Sequence, residues 1–501
     1  MTPPADTGPA ALRMGTPAAR WVLLTTVLGS GLVMLDATVV NVALARIGTD
    51  LGAGFAALQW TVNAYTLALA SLILLGGSLG DHLGRRRVFV VGVVWFALAS
   101  LLCGLAPNLE LLIAGRALQG VGGALLTPGS LALISASFRG PDRAAAIGAW
   151  SGLGGIAGAV GPFLGGWLVE WSWRAVFLLN LPLAVLVVAV ALRHVPETRD
   201  REAAAGLDVP GTVLAVVALG ALTWSLTELG AQGATAVPLG VLAVGLAALA
   251  VFVVVERRSP HPLVPPRLFA DRTFSAANAA TLLVYGALGV VFLLLVLQLQ
   301  VVAGFSPLVA GTALLPLTAI MLVFSARAGA LAQRIGPRLP MTAGPLVAAA
   351  GLLLLGRIGP GASWRVDELP GTAVFGAGQT LTVAPLTATV LGSAPDRYAG
   401  AASGVNNAVA RAAGLLSVAL IPGLAGIAGA DYTDPAAFGA GFRTAMLISA
   451  VLLAAAGAVS FALVRSPKPD PHPAAPDRVA VERCHHCGVT APAVHPADAR
   501  R

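Results

Sequence analysis

The sequence predicts an all-α polytopic membrane protein. Of its 501 residues, 57% are hydrophobic and only 11% are charged, whereas about a quarter of the residues in a typical soluble protein carry a charge. The apolar residues fall in blocks of about 20, which is the length of helix that crosses the hydrocarbon core of a bilayer. These two observations exclude a water-soluble globular protein.

Fourteen apolar segments are separated by arginine, aspartate, proline and glycine. The N-terminal stretch 1–19 is not a cleavable signal peptide, because the apolar region behind it is too long and no small-residue cleavage site follows. We therefore expect the first segment to remain in the mature protein. The predicted spans are 20–44, 58–79, 88–106, 110–136, 143–167, 174–193, 210–229, 237–255, 275–300, 307–330, 341–358, 370–392, 401–425 and 443–464.

The positions of the basic residues predict the orientation of these spans. An even number of spans places both termini on one side, and cytoplasmic loops are enriched in lysine and arginine. If the N-terminus is cytoplasmic, 23 of the 31 basic residues lie in inside loops and tails, five lie in outside loops and three lie within spans. We therefore expect a multi-pass protein of the cytoplasmic membrane with both termini cytoplasmic. The net charge of +8 then reflects topology, and we expect no nucleic-acid partner.

Two similar loops indicate an internal duplication. Residues 76–87 read GGSLGDHLGRRR and residues 329–338 read GALAQRIGPR, so spans 1–6 and 9–14 are predicted to be two copies of a six-helix unit. Duplicated halves with a binding site between them are typical of secondary transporters. The predicted regions are a cytoplasmic tail (1–19), an N-terminal half (20–193), a linker with two extra helices (194–272), a C-terminal half (273–464) and a disordered cytoplasmic tail (465–501).

Four motifs, in the right spans and the right order, resemble those of the major facilitator superfamily, and specifically of its fourteen-span drug:proton antiporter family. They are the gating loop after span 2, a stretch in span 1 that distinguishes the fourteen-span family, the proton-coupling motif in span 4 and the antiporter motif in span 5. The matching residues are Gly77, Asp81, Gly84, Arg85 and Arg86 in the loop, Asp36 in span 1, Arg116 and Gln119 in span 4, and Gly158, Gly161, Pro162, Gly165 and Gly166 in span 5.

The resemblance implies a major facilitator fold, with two six-helix halves plus two inserted helices. It implies export of small lipophilic drugs or antibiotics in exchange for protons by alternating access, without a cofactor. We expect a monomer whose partners are the small-molecule substrate, protons and the lipid bilayer. In the gating loop, Asp81 would cap a helix or pair with an arginine and so form a conformational latch. The alternative is a solvated loop whose arginines only set topology.

Asp36 is the only carboxylate that the sequence places clearly within a span. Charge at that depth is costly unless it is paired, hydrated or protonated, and burial favours the protonated form of a carboxyl group. Asp36 is therefore predicted to exchange protons as its cavity opens to one side and then to the other. The alternative is a permanently paired aspartate that locks two helices together.

Arg116 is predicted to share one electrostatic network with Asp36. At a rise of 1.5 Å per residue, Arg116 lies about 10 Å and Asp36 about 12 Å below the outer surface, so the two are at matching depth. The alternative is a structural arginine that bonds backbone carbonyls.

Four polar residues are candidates for lining a substrate cavity: Asn41, Gln119, Asn407 and Arg411. Arg411 lies near the middle of span 13, where a buried arginine suggests a hydrated cavity, and snorkelling or pairing are the alternatives. Because this cavity is not rich in acidic residues, we expect neutral, zwitterionic or weakly acidic amphipathic substrates rather than dications.

Other functions fit the sequence less well. Within transport, the alternative is a dedicated exporter or importer of one endogenous metabolite. An intramembrane enzyme is disfavoured, because all seven histidines lie in loops or tails and no span pairs a nucleophile with a base. Cys484 and Cys487 flank two histidines in the C-terminal tail, but one such cluster is only half of a typical zinc site. We therefore predict no enzymatic activity and no metal site.

Overall fold

The computed structural model describes residues 12–199, 208–260, 262–395, 398–427, 429 and 434–465. Within this part of the chain, fourteen helices are long and apolar enough to cross a membrane, which confirms the predicted fold class. The helices are α1 (Pro17–Leu51), α2 (Phe55–Leu83), α3 (Arg85–Gly104), α4 (Leu109–Ser137), α5 (Gly140–Trp171), α6 (Arg174–Leu178, continued by Asn180–His194), α7 (Val209–Gln232), α8 (Ala236–Arg258), α9 (Arg272–Val301), α10 (Pro307–Thr312, continued by Leu315–Ile335), α11 (Arg338–Leu355), α12 (Trp364–Gly392), α13 (Ala399–Leu424) and α14 (Pro435–Leu463).

Side-chain caps fix where several helices begin. The Asn108 side chain accepts a hydrogen bond from the backbone N–H of Leu111 at the start of α4, at 3.0 Å. Asp271 caps the start of α9 in the same way, at 2.7 Å from the N–H of Phe274. Such caps satisfy backbone donors that have no partner within the helix.

α12 begins earlier than the sequence predicts, because its first turn, Trp364–Glu368, is π-helical. Glu368, which lies outside the predicted span 370–392, therefore belongs to the helix. Its side chain has no exposed surface. Asp36 is therefore not the only buried carboxyl group within a span. Hydropathy missed Glu368 because Arg365 and Asp367 in the same turn lower the apolar character of the segment.

Two groups of six helices pack against each other. In the first group, α1–α6, both α2 and α3 pack on α4, and α1 packs on α5; in the second, α9–α14, α11 packs on α12, and α9 packs on α13 and α14. We call these groups the N-terminal and C-terminal halves; the domain boundaries given above remain predictions. The inserted helices α7 and α8 pack on each other, and α7 also contacts α2 and α13.

The two halves are closed together at one face of the bundle. We call the face where α1 begins and α14 ends the termini side, and the opposite face the far side. On the far side, the Gln59 side chain donates to the Val418 carbonyl at 2.6 Å, and Gln300 donates to the Val42 carbonyl at 3.0 Å. These hydrogen bonds tie α2 to α13 and α9 to α1.

α5 and α10 are in close contact on the far side, and we call the part of their interface nearer the termini side the cleft. A methyl group added at Gly148 or Gly152 of α5, or at Gly329 of α10, would meet no atom of the described chain within 4 Å. On the far side, by contrast, Gly166 of α5 and Gly311 of α10 are in close backbone contact with the other helix. The described residues thus form a transporter-like bundle that is sealed on the far side.

Candidate functional site

A buried ion pair joins α1 to α4. Arg116 Nη1 lies 2.5 Å from Asp36 Oδ2, and the two residues are 1% and 0% exposed. Arg116 Nε also donates to the Thr61 carbonyl of α2 at 3.0 Å. The two interactions that the sequence left as alternatives, a carboxylate and a backbone carbonyl, are thus made by the same guanidinium.

Two amides complete the environment of Asp36. Gln119 Nε2 and Asn180 Nδ2 both donate to Asp36 Oδ1, at 2.8 Å and 3.2 Å. Both amides also reach the Ser100 hydroxyl of α3, at 2.7 Å and 3.2 Å. The carboxyl group of Asp36 therefore faces three donors, and this network connects α1, α3, α4 and α6.

Aromatic rings cover the guanidinium. Arg116 Cζ lies 4.3 Å from the ring centroid of Tyr65 and 5.8 Å from that of Phe177, within the range of cation–π attraction. These rings exclude water from a charge that is already paired. The site is a dry ion pair held by polar side chains from four helices.

Ser100 and Asn180 were not predicted from the sequence. Each is a single polar residue within a strongly apolar span, and such residues are common helix-packing groups in membranes. The sequence signal near Asn180 is Pro182, two residues later, because a proline within a span removes a backbone hydrogen bond.

The gating loop between α2 and α3 is folded against the N-terminal half. Asp81 Oδ1 pairs with Arg85 Nη2 at 2.8 Å, so the predicted aspartate–arginine pair lies within the loop itself. Gly77 faces Pro128 of α4. Gly84 has a φ of +112°, a backbone conformation that favours glycine, which explains its place in the motif.

Glu197, in the segment after α6, caps α3 where Asp81 was the expected candidate. Its two carboxylate oxygens accept hydrogen bonds from the backbone N–H groups of Arg86 and Arg87, at 3.0 Å and 3.2 Å. Arg86 Nη1 donates in turn to the Val195 carbonyl at 3.0 Å. An acidic group at a helix N-terminus is favoured by both hydrogen bonding and the helix dipole. The loop is thus clamped to the beginning of the linker.

The small residues of the antiporter motif lie against two different helices. Gly161 and Gly165 face Thr38 and Val39 of α1, where a Cβ at Gly165 would lie 3.0 Å from the Val39 side chain. Gly166 faces the backbone of Pro307 and Leu308 in α10, and the Pro162 carbonyl lies against Gly311 of the same helix. A Cβ added at Gly158 would meet no atom within 4 Å among the described residues. The motif therefore joins α1 to the contact between the halves.

The four cavity candidates are not all in one place. Gln119 has no exposed surface and belongs to the ion-pair network, so it lines no open space in this conformation. Asn41 bonds its own helix through Nδ2, while its Oδ1 is buried without a hydrogen-bond partner among the described residues. Arg411 is partly exposed, and Asn407, one turn earlier on α13, is exposed.

A metal site finds no support within the described residues, where no cluster of three or more His, Cys, Asp or Glu could hold a metal ion. The Cys484–Cys487 cluster lies outside the described residues.

Comparisons with known proteins identify the family. The sequence model of the Major Facilitator Superfamily matches residues 26–418. The chain is 38% identical over 392 residues to multidrug resistance protein Stp of Mycobacterium tuberculosis, covering 77% of this chain and 72% of that protein. It is 37% identical over 431 residues to puromycin resistance protein pur8 of Streptomyces alboniger, covering 84% and 86%.

A solved structure supports the same fold. The structure of a bacterial homologue of the human lysosomal transporter Spinster, in an inward-facing and occupied conformation, matches with a TM-score of 0.64 at 16% identity. The match covers 91% of this chain and 100% of that one. The chain therefore belongs to the major facilitator superfamily and is a membrane transporter, not an enzyme.

Proposed function

We propose that this protein is a proton-coupled antiporter that exports small lipophilic drugs or antibiotics across the cytoplasmic membrane by alternating access. The observation that carries the proposal is the buried Asp36–Arg116 pair, because a fully buried carboxylate is a natural site for binding and releasing a proton. The relatives Stp and pur8, which are named for drug resistance, support the export of drugs.

The orientation follows from the distribution of arginine, which favours cytoplasmic termini. With that orientation the cleft between α5 and α10 faces the cytoplasm, and the far-side contacts close the protein toward the outside. This is the conformation in which an exporter collects its substrate.

Asp36 can couple proton exchange to movement because its carboxyl group joins three helices. Arg116 and Gln119 of α4 and Asn180 of α6 all donate hydrogen bonds to it. Protonation would remove the charge that holds Arg116 and thereby loosen α1 from α4. Proton binding is thus linked to a change in helix packing.

The antiporter motif provides a path from that change to the seal between the halves. α1 carries Asp36 and, on its α5-facing side, the Thr38 and Val39 contacts with Gly161 and Gly165. α5 in turn contacts α10 through Gly166 on the far side. A shift of α1 would therefore reach the contact that must open for substrate release. We propose that the gain and loss of a proton at Asp36 shift the balance between the closed and open states of this contact.

The test is to express the chain in a bacterial host that lacks its own exporters and to follow accumulation of a panel of antibiotics and dyes. Expression should lower accumulation, and a protonophore should restore it. Asp36→Asn should fail to lower accumulation when its amount in the membrane is matched to that of the wild type. Higher accumulation on expression would indicate import, and export unaffected by the protonophore would exclude proton coupling. Export of one compound alone would favour the alternative, a dedicated exporter.

A further inference from the structure

Arg411 is a partly buried arginine within α13. Its Nε is buried and has no hydrogen-bond partner among the described residues, and none of the ion pairs formed by those residues includes it. The residue as a whole is nevertheless partly exposed, and Asn407, one turn earlier on the same helix, is exposed. Arg116, the other arginine deep in the bundle, bonds Asp36, Gln119 and the Thr61 carbonyl.

The surroundings of Arg411 contain aromatic rings rather than acids. The contacts of Gln59 with Val418 and of Leu74 with Gly404 place Arg411 at the level of Tyr65 on α2. A Cβ built at Gly414, three residues after Arg411, would lie 3.7 Å from the Tyr285 carbonyl oxygen of α9. These two helices and α13, which carries Arg411, come from both halves of the protein. Asp36, the buried carboxylate of α1, is already paired with Arg116. Among the described residues, no carboxylate forms an ion pair with Arg411.

An unpaired guanidinium at the level of two tyrosines, on a helix that contacts both halves of the protein, favours one kind of ligand. Its planar donors match the two oxygens of a carboxylate, while the rings provide apolar surface for the remainder of the molecule. Dicationic molecules would be repelled by the same charge. We propose that Arg411 binds the acidic group of the exported molecule, so that the preferred substrates are amphipathic compounds with a carboxylate. This inference rests on the proposed export function and names its substrate class.

The test measures binding to the purified full-length protein, using rhodamine B and its ethyl ester, which share one ring system and differ in the carboxylate. The wild type should bind rhodamine B more tightly than the ester. Arg411→Gln should weaken rhodamine B binding about tenfold or more, because a charge-assisted hydrogen bond is lost only for the acid. Binding of the cationic ester should stay the same or become tighter, because the repelling charge is gone. Arg411→Lys should keep part of the preference for rhodamine B over the ester.

Arg46→Gln is the matched control, since Arg46 is exposed at the far end of α1 and pairs with Asp50. This substitution removes the same charge from the protein and should keep the wild-type preference for rhodamine B over its ester. Because Arg411 forms no ion pair among the described residues, Arg411→Gln should also unfold at the same temperature as the wild type or higher. A large loss of thermal stability would indicate a structural role and overturn the proposal.

Three further outcomes would overturn it: tighter wild-type binding of the ester, no wild-type binding of rhodamine B, or an unchanged acid preference in Arg411→Gln. Dye accumulation in the exporter-deficient host separates this result from the export function. If the wild type exports neutral antibiotics but shows no acid preference, the substrate class is wrong and export stands. If it exports nothing, the proposed function itself fails.

Discussion

The contact of Gly166 with α10 predicts that a single added methyl group will shift the protein toward the conformation that is open on the far side. A Cβ at this position would lie 2.5 Å from the Pro307 carbonyl oxygen and 2.7 Å from Leu308 Cα, whereas ordinary contacts lie at 3.4–4 Å. Both opposing atoms belong to the backbone, so no side-chain rotation relieves the clash. Overpacking of this kind costs about 1–3 kcal/mol.

That cost applies only while the far side is closed, because separation of α5 from α10 removes the clash. A cost of about 2 kcal/mol changes the ratio of closed to open populations by roughly 30-fold. Gly158→Ala is the matched control, since it makes the same change in the same helix at a position where the added methyl group meets nothing within 4 Å. Both substitutions gain equally in helix propensity, so the difference between them reports the contact alone.

The assay is double electron–electron resonance between spin labels at Asp50 and Arg357, two exposed residues near the far ends of the N-terminal and C-terminal halves. The native cysteines are first replaced. Gly166→Ala should shift the distance distribution toward longer values, and Gly158→Ala should retain the wild-type distribution. An unchanged distribution in Gly166→Ala, or the same shift in both variants, would refute the reasoning.

Three other predictions follow from the site. Asp36→Asn leaves Arg116 buried without a counter-ion and should lower the free energy of unfolding by about 3–5 kcal/mol. In thermal melts of the purified protein, the double variant with Arg116→Gln should recover part of that loss. If the losses of the two single variants simply add, the pairing is contradicted. Asn180→Ala removes one donor to the carboxylate and should cost about 1–2 kcal/mol; an unchanged melting temperature would show that its 3.2 Å bond contributes nothing. Glu197→Ala removes the cap of α3 and should speed hydrogen exchange at the Arg86 amide several-fold, and equal exchange in both proteins would refute the clamp.

The sequence predicted the elements that depend on composition and helix geometry. The number of spans follows from hydropathy, and the meeting of Asp36 with Arg116 follows from their equal depth at a fixed rise per residue. The hydropathy of a segment and the depth of a residue both depend only on a single helix and on the thickness of the bilayer. The sequence also identified the small residues of α5 as a packing surface.

What the sequence could not provide depends on which helices become neighbours. Gly158 and Gly166 belong to one motif, but only the packing of α5 against α10 makes one of them a contact between the halves. Asn180 reaches Asp36 only because α6 packs against α1. Glu197 reaches α3 only because the chain after α6 returns to the gating loop. Glu368 was missed because a π-helical turn extends α12 past its apolar segment.

The central claim is that Asp36 carries the transported proton. The most direct test reconstitutes the purified protein into liposomes and follows lumenal pH with a trapped indicator while an exported antibiotic is added on the substrate-binding side. The wild type should move protons against the direction of the drug, and Asp36→Asn should move none while it still binds the drug. Drug-dependent proton movement in Asp36→Asn equal to that of the wild type would contradict the account.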